Sequence, residues 1–249
     1  MLNKLKWTAG VALVAASQLA SADMAEVRLT NLTLTASAPG WWDYIPKEVT
    51  WVPETAGTSA GLDNPSFYDE AHGWHGNAMA ASVTDGSAVS KAQLTAVPPG
   101  SSDLNGVTAL ASVHASGGQG GWANAQVFSG QILVPASTTI TISTQIANIQ
   151  VSGTTAQAFA YVGFCSFDGD CNPANYAEAF IDASWPTYSG PSTLTTSWTN
   201  PSSKDNTWVL LNFGATASVS SIAAPVPEPA TYALWLAGLV GIGIYRRRT

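Results

Sequence analysis

Between residues 23 and 224 apolar side chains recur at every second position, and glycine or proline repeatedly interrupts them. Successive side chains on a strand point to opposite faces, so this period calls for half-buried strands and leaves little room for helix. Thr139-Ile140-Thr141-Ile142-Ser143 has the cleanest form of it. Val27 and Leu29, then Leu32 and Leu34, alternate with polar residues but change phase near Asn31, as a bulge would require. Further strands are expected over 107–114, 126–134, 158–167, 176–182, 208–213 and 218–223, with Trp208 joining Val209 and Leu211 in the core. Val97-Pro98-Pro99-Gly100, residues 116–121 and Tyr188-Ser189-Gly190-Pro191 read as the breaks between them. Only 76–83 and the C-terminal tail offer helical alternatives. Residues 37–70, rich in Pro, Trp and Asp, read as long ordered loops or a ligand-facing insertion. The expected fold is all-β: one antiparallel sandwich of jelly-roll type over 23–224, with about eight to ten strands.

The two ends follow other rules. Lys4 and Lys6, an uncharged stretch from Trp7 to Ala16, and the small residues of Ala20-Ser21-Ala22 make residues 1–22 a secretory signal peptide. Signal peptidase would then leave Asp23 as the first mature residue. At the other end, the 17 residues from Pro229 to Tyr245 carry no charge. As a helix they would reach about 25 Å, the lower limit for a hydrocarbon core of about 30 Å. The run is apolar all round, which excludes a surface helix. Arg246, Arg247 and Arg248 follow at once and would stay on the cytoplasmic side. Both ends therefore place the intervening domain outside the membrane. Pro227-Glu228-Pro229 precedes the run, and its prolines hold Val226 and Glu228 toward extended geometry.

Val226-Pro227-Glu228-Pro229-Ala230-Thr231-Tyr232-Ala233-Leu234, the Gly-interrupted run with Leu236-Ala237-Gly238-Leu239, and the three arginines together resemble the PEP-CTERM sorting signal. The resemblance covers residues 225–249. It implies an exported protein of a Gram-negative, polysaccharide-producing bacterium. It also implies a membrane-embedded exosortase that cuts near the Pro-Glu-Pro. In that family the tail is a substrate tag and says nothing about the domain it carries. The stretch 129–223 also looks like the β-sandwich ectodomains found upstream of such tails.

Composition narrows the domain's partners. From Asp23 to Ala224 there are 15 acidic residues against four basic ones, Arg28, Lys47, Lys91 and Lys204. Nucleic-acid binding needs the opposite balance. Such an acidic domain stays soluble and avoids anionic lipid. No cofactor-binding motif is complete: Gly117-Gly118-Gln119-Gly120-Gly121 lacks the Lys-Ser/Thr of a phosphate loop.

Several clusters invite a chemical reading. Cys165 and Cys171 are the only cysteines, and in an oxidising compartment they are expected to pair. Asp168, Asp170 and Asn172 alternate as Ca²⁺ ligands could, or form a polar turn. His72 and His75, with Asp69 and Glu70 upstream and His114 elsewhere, fall short of a zinc set, so no metal site is expected. Asp43, Glu48, Glu54, Asp63, Asp69 and Glu70 crowd one region, but a glycosidase needs two carboxyl groups facing each other. Trp41, Trp42, Trp51 and Trp74 lie in Gly/Pro-rich segments beside Asp43, Asn64, Asp69 and Asn77. Flat rings next to hydrogen-bonding side chains suit a sugar, whose C–H faces stack and whose hydroxyls need acceptors; the same tryptophans could instead pin loops to the sandwich. The leading reading is a non-enzymatic surface or matrix protein, structural or adhesive among exopolysaccharide. The alternatives are a carbohydrate-binding module using those tryptophans and a secreted polysaccharide hydrolase.

Overall fold

The computed structural model describes residues 22–37, 49–51, 56–63, 66–73, 78–95, 106–115, 118–166 and 171–221. Among them are thirteen strands, one 3₁₀ turn and no α-helix. Strands β1 (Asp23–Ser37), β5 (Met79–Asp85), β6 (Ala88–Leu94), β7 (Ala109–Ala115), β9 (Thr139–Ser152) and β12 (Thr193–Thr199) form one sheet, ordered β12-β9-β1-β7-β6-β5. Strands β3 (Ala56–Leu62), β4 (Tyr68–Gly73), β8 (Gly121–Val134), β10 (Ala156–Ser166), β11 (Tyr176–Asp182) and β13 (Thr207–Val219) form the other. Its order is β11-β10-β13-β8-β3-β4, and the short β2 (Val49–Trp51) pairs with β8. All pairings are antiparallel. The all-β, two-sheet expectation holds. Residues 1–21 of the expected signal peptide, the apolar run and the arginines lie outside the described residues, as do 76 and 77 of the helical alternative; its residues 79–83 belong to strand β5.

The alternation seen in the sequence fills the space between the sheets. One continuous core draws Ala25, Val27 and Leu29 from β1, Ala109, Ala111 and Val113 from β7, and Ile140 and Ile142 from β9. The facing sheet supplies Ala123, Ala125 and Val127 of β8, Ala158, Ala160, Val162 and Phe164 of β10, and Leu211, Phe213, Ala215 and Ala217 of β13. Many of these are alanines, so Phe164 and Phe213, both fully buried, are the largest side chains filling the interior. The phase change in β1 is real. Its register with β9 shifts between Thr30 and Thr33, and Asn31 has φ 54°. Bulges accommodate one extra residue in this way and leave both halves of a strand facing the same core.

Two sequence expectations need correction. Within 37–70 the chain forms β2, β3 and the start of β4, because Ala60 and Leu62 have inward rows to fill beside Ala81 and Val83. Trp208 is not in the core: Val209, Leu211 and Phe213 take the inward positions of β13, and strict alternation turns Trp208 to the outer face, half-buried.

Thr58 on β3 is 1 % exposed, and its hydroxyl has no partner among the described residues. An unpaired buried hydroxyl costs free energy that a methyl group does not. Thr58→Val, which keeps shape and β-branching, is expected to raise stability by about 1 kcal/mol. Thermal unfolding checks this: the midpoint should rise by about 2–4 °C.

Candidate functional site

The outer face of the second sheet can be read row by row, because cross-strand partners share a face. Tyr68, Gly61, Trp122, Ser218, Gln157 and Asp182 are successive partners across six strands. Two residues further along comes Glu70, Ser59, Asn124, Thr216, Phe159 and Phe180. The third row is His72, Gly57, Gln126, Gly214, Tyr161 and Glu178. Rings therefore stand toward both edges of the face, and hydroxyl and amide side chains occupy its middle. At about 4.8 Å between strands the rows are about 24 Å long.

Glycines lay the rings down. A Cβ on Gly61 would come within 2.8 Å of the Trp122 ring, and one on Gly214 within 2.6 Å of the Tyr161 hydroxyl. Both rings thus lie across a neighbouring strand where any side chain would lift them. Trp122 and Tyr68 meet with centroids 5.7 Å apart, and Phe159 and Tyr161 stack at 5.5 Å. Ser90 of the other sheet donates to the Trp122 carbonyl and ties this backbone to the opposite layer. The large apolar side chains left most exposed among the described residues are Trp185, Phe180, Tyr68 and Trp122, and the last three lie on this face. Exposed apolar surface rimmed by polar groups marks an interaction site.

Beside Tyr68 the face dips into a cleft of about 410 Å³. Gly57 and Ser59 form its floor, and Tyr68, Glu70, His72 and Gln126 its walls. The Tyr68 hydroxyl donates to Glu70, and His72 Nε2 lies 3.4 Å from the same carboxylate. The Tyr68 hydrogen bond, helped by His72, holds the Glu70 carboxyl below its ordinary range. The same bond pushes the Tyr68 hydroxyl up. Polar side chains in the middle are fixed by their neighbours: Thr216 donates to Asn124 at 3.2 Å and Tyr161 to Gln126 Oε1 at 2.9 Å. Burial pushes the Tyr161 hydroxyl up, so it remains a donor. Such groups keep their orientation before any ligand arrives, which lowers the ordering cost of binding.

The sequence-derived candidates fare unequally. Cys165 and Cys171 are disulfide-bonded. Closing so short a loop contributes about 2 kcal/mol in the chain-entropy model. The bridge also borders the aromatic face: Asn212 Nδ2 donates to Tyr176 Oη at 2.7 Å and to Cys165 Sγ at 2.8 Å. Asp168 and Asp170 lie outside the described residues, whereas Asn172 accepts from the Ala174 amide and caps the 3₁₀ turn Pro173–Asn175. Trp41, Trp42 and Trp74 lie outside the described residues, and Trp51 is described only as backbone paired with Gly130. Pro227, Glu228, Pro229, Arg246, Arg247 and Arg248 also lie outside them. His72 and His114 belong to different sheets. Asp69 and Glu70 diverge: Asp69 accepts from the Ser82 amide of β5, while Glu70 stands in the cleft wall.

Alternation alone does not single out Tyr68, Trp122, Phe159, Tyr161 and Phe180. One signal was available: Gly57, Gly61, Gly163 and Gly214 interrupt strands at outward positions, and glycine inside a strand marks close approach of another group.

Residues 225–248 match the family model of the PEP-CTERM protein-sorting motif. No curated protein and no solved structure matches the chain. The motif marks an exported protein of Gram-negative type that an exosortase processes.

Proposed function

We propose that this exported, exosortase-processed protein is a non-enzymatic adhesive component of an exopolysaccharide matrix, and that it holds glycan on the outer face of its second sheet. In this reading the 229–245 run anchors the precursor in the membrane until the tail is cut. The domain, a sandwich of jelly-roll type, is then delivered to the cell surface or matrix. One observation carries the reading: Trp122, Tyr68, Phe159, Tyr161 and Phe180 present rings at both ends of a floor made of Ser59, Asn124, Gln126 and Thr216. Sugar rings offer C–H faces to aromatics and hydroxyls to amides, so such a face suits an extended glycan. The divergence of Asp69 and Glu70 gives a hydrolytic reading less support, since paired carboxylates must address one bond.

The test is retention on immobilised exopolysaccharide. Trp122→Ala combined with Tyr68→Ala is expected to weaken retention at least about fivefold, the loss of two stacking partners each worth about 0.5–1.5 kcal/mol. Both side chains are substantially exposed, so the unfolding midpoint should fall little. Unchanged retention in the double variant, with loss in Trp41, Trp42, Trp51 or Trp74 variants that still fold, would move the site to the loops.

A further inference from the structure

Apart from the His72 imidazole beside Glu70, the charge on this face has one sign. Among the described residues its three rows contain Glu70, Glu178 and Asp182 and neither lysine nor arginine. Asp182 is engaged, accepting from the Ser184 and Trp185 amides. The two remaining carboxylates stand at opposite edges, Glu70 on β4 and Glu178 on β11. Each has rings for neighbours: Glu70 lies beside Tyr68, and Glu178 sits opposite Tyr161 and two residues from Phe180. About 24 Å separates the two edges.

Resting on the glycan-binding reading above, we propose that the ligand is a polysaccharide of amino sugars carrying free ammonium groups, long enough to reach both Glu70 and Glu178. A neutral sugar stacked on Trp122 and Tyr68 would cover the Glu70 carboxylate, whose one basic neighbour is the exposed His72 imidazole, and add no counter-charge; a charge so poorly compensated resists being covered. A uronic-acid polymer would bring like charge to both edges and to a domain already strongly acidic. An ammonium group on the sugar ring pairs with the carboxylate while the ring face stacks, and it is further attracted to the π-face of an adjacent tryptophan or tyrosine. The hydrogen bond from Tyr68 keeps Glu70 oriented and ionised for that contact. Two carboxylates so far apart address different residues of one chain, so the requirement is for a polymer and not a monosaccharide.

The experiment compares hexamers of β-linked glucosamine and of the same sugar fully N-acetylated, titrated against the folded mature protein while the amines are protonated. The wild type is expected to bind the free-amine hexamer at least fivefold more tightly, with the preference shrinking as salt is added. Glu70→Gln with Glu178→Gln, which preserves shape, should lower affinity for the free-amine hexamer about five- to tenfold, as two exposed ion pairs allow. Affinity for the acetylated hexamer should not fall, and should rise slightly as the cost of covering the Glu70 charge is removed. The charge-matched pair Glu26→Gln and Asp85→Asn in the other sheet should leave the preference intact. Equal binding of the two hexamers, or a preference that survives in the Glu70/Glu178 variant, overturns the proposal. If Trp122→Ala then still abolishes binding of both, the glycan-binding reading stands without it. If neither hexamer nor the matrix polysaccharide is retained, both fall.

Discussion

Replacing Arg246, Arg247 and Arg248 together by uncharged residues is expected to stop normal maturation, leaving most of the exported protein with an uncut or misplaced C-terminus. In the proposed topology the 17 apolar residues before them reach about 25 Å as a helix. They have little length to spare across a core of about 30 Å. The arginines hold the inner end at the headgroups, and without them the short span slides and tilts. Pro227-Glu228-Pro229 would then leave the outer interface where a membrane-embedded enzyme reaches it. Glu228→Ala separates recognition from insertion: the residue lies outside the apolar run, so insertion should survive while processing fails. The mass of the mature C-terminus, in hosts with and without the exosortase, gives the answer. A surface-delivered wild-type protein that still ends at Thr249 would overturn the sorting assignment and leave a plain C-terminal anchor.

Asp23→Ala is expected to destabilise the domain by about 3 kcal/mol. Asp23 opens β1, is 7 % exposed, and accepts three hydrogen bonds through one carboxylate oxygen. The donors are the Thr154 and Thr155 amides, each at 3.1 Å, and the Thr155 hydroxyl at 2.8 Å. They belong to the turn between β9 and β10, where Gly153 takes φ 94° and a Cβ would collide with Asp23. Hydrogen bonds to an ionised group contribute about 1.5–3 kcal/mol, and donors left unpaired add their own cost. Asp23→Asn keeps one acceptor oxygen and should lose about half as much. Urea unfolding checks both, and an unchanged midpoint for the alanine variant would sink the account. The expected leader cut after Ala22 leaves this contact whole; a cut one residue later would remove it.

How much could be read before the structure differs from place to place. Local alternation was enough for Ile140 and Ile142, for Ala158 to Phe164 and for the phase change at Asn31, because one period decides both strand and face. It misled at Trp208, where the ring's size suggested burial while Val209 and Leu211 held the inward positions. It left β3 and β4 unread because Gly57, Gly61 and Gly73 remove the side chains whose alternation would announce a strand. Rings on a strand look like core until their face is known, so from sequence the loop tryptophans stand out for sugar stacking. Trp122, Tyr68 and Phe180 turn outward because Ala60, Ala123, Ala179 and Ile181 fill the inward positions beside them.

What is local and contiguous is written in the chain alone: the strand-forming alternation, the excess of carboxylates, the six-residue separation of the two cysteines, and the sorting tail, which is a linear tag and matches its motif without any fold. The outer face, by contrast, exists only once the strands are paired. Tyr68, Trp122, Phe159, Phe180 and Ser218 share one face because β4, β3, β8, β13, β10 and β11 pair laterally in that order. Periodicity tells each strand which side chains to bury but not which strand lies beside it. That choice comes from packing two whole inner faces against each other, and it brings Gly61 under Trp122, Gly214 under Tyr161 and two glutamates to opposite edges of one surface.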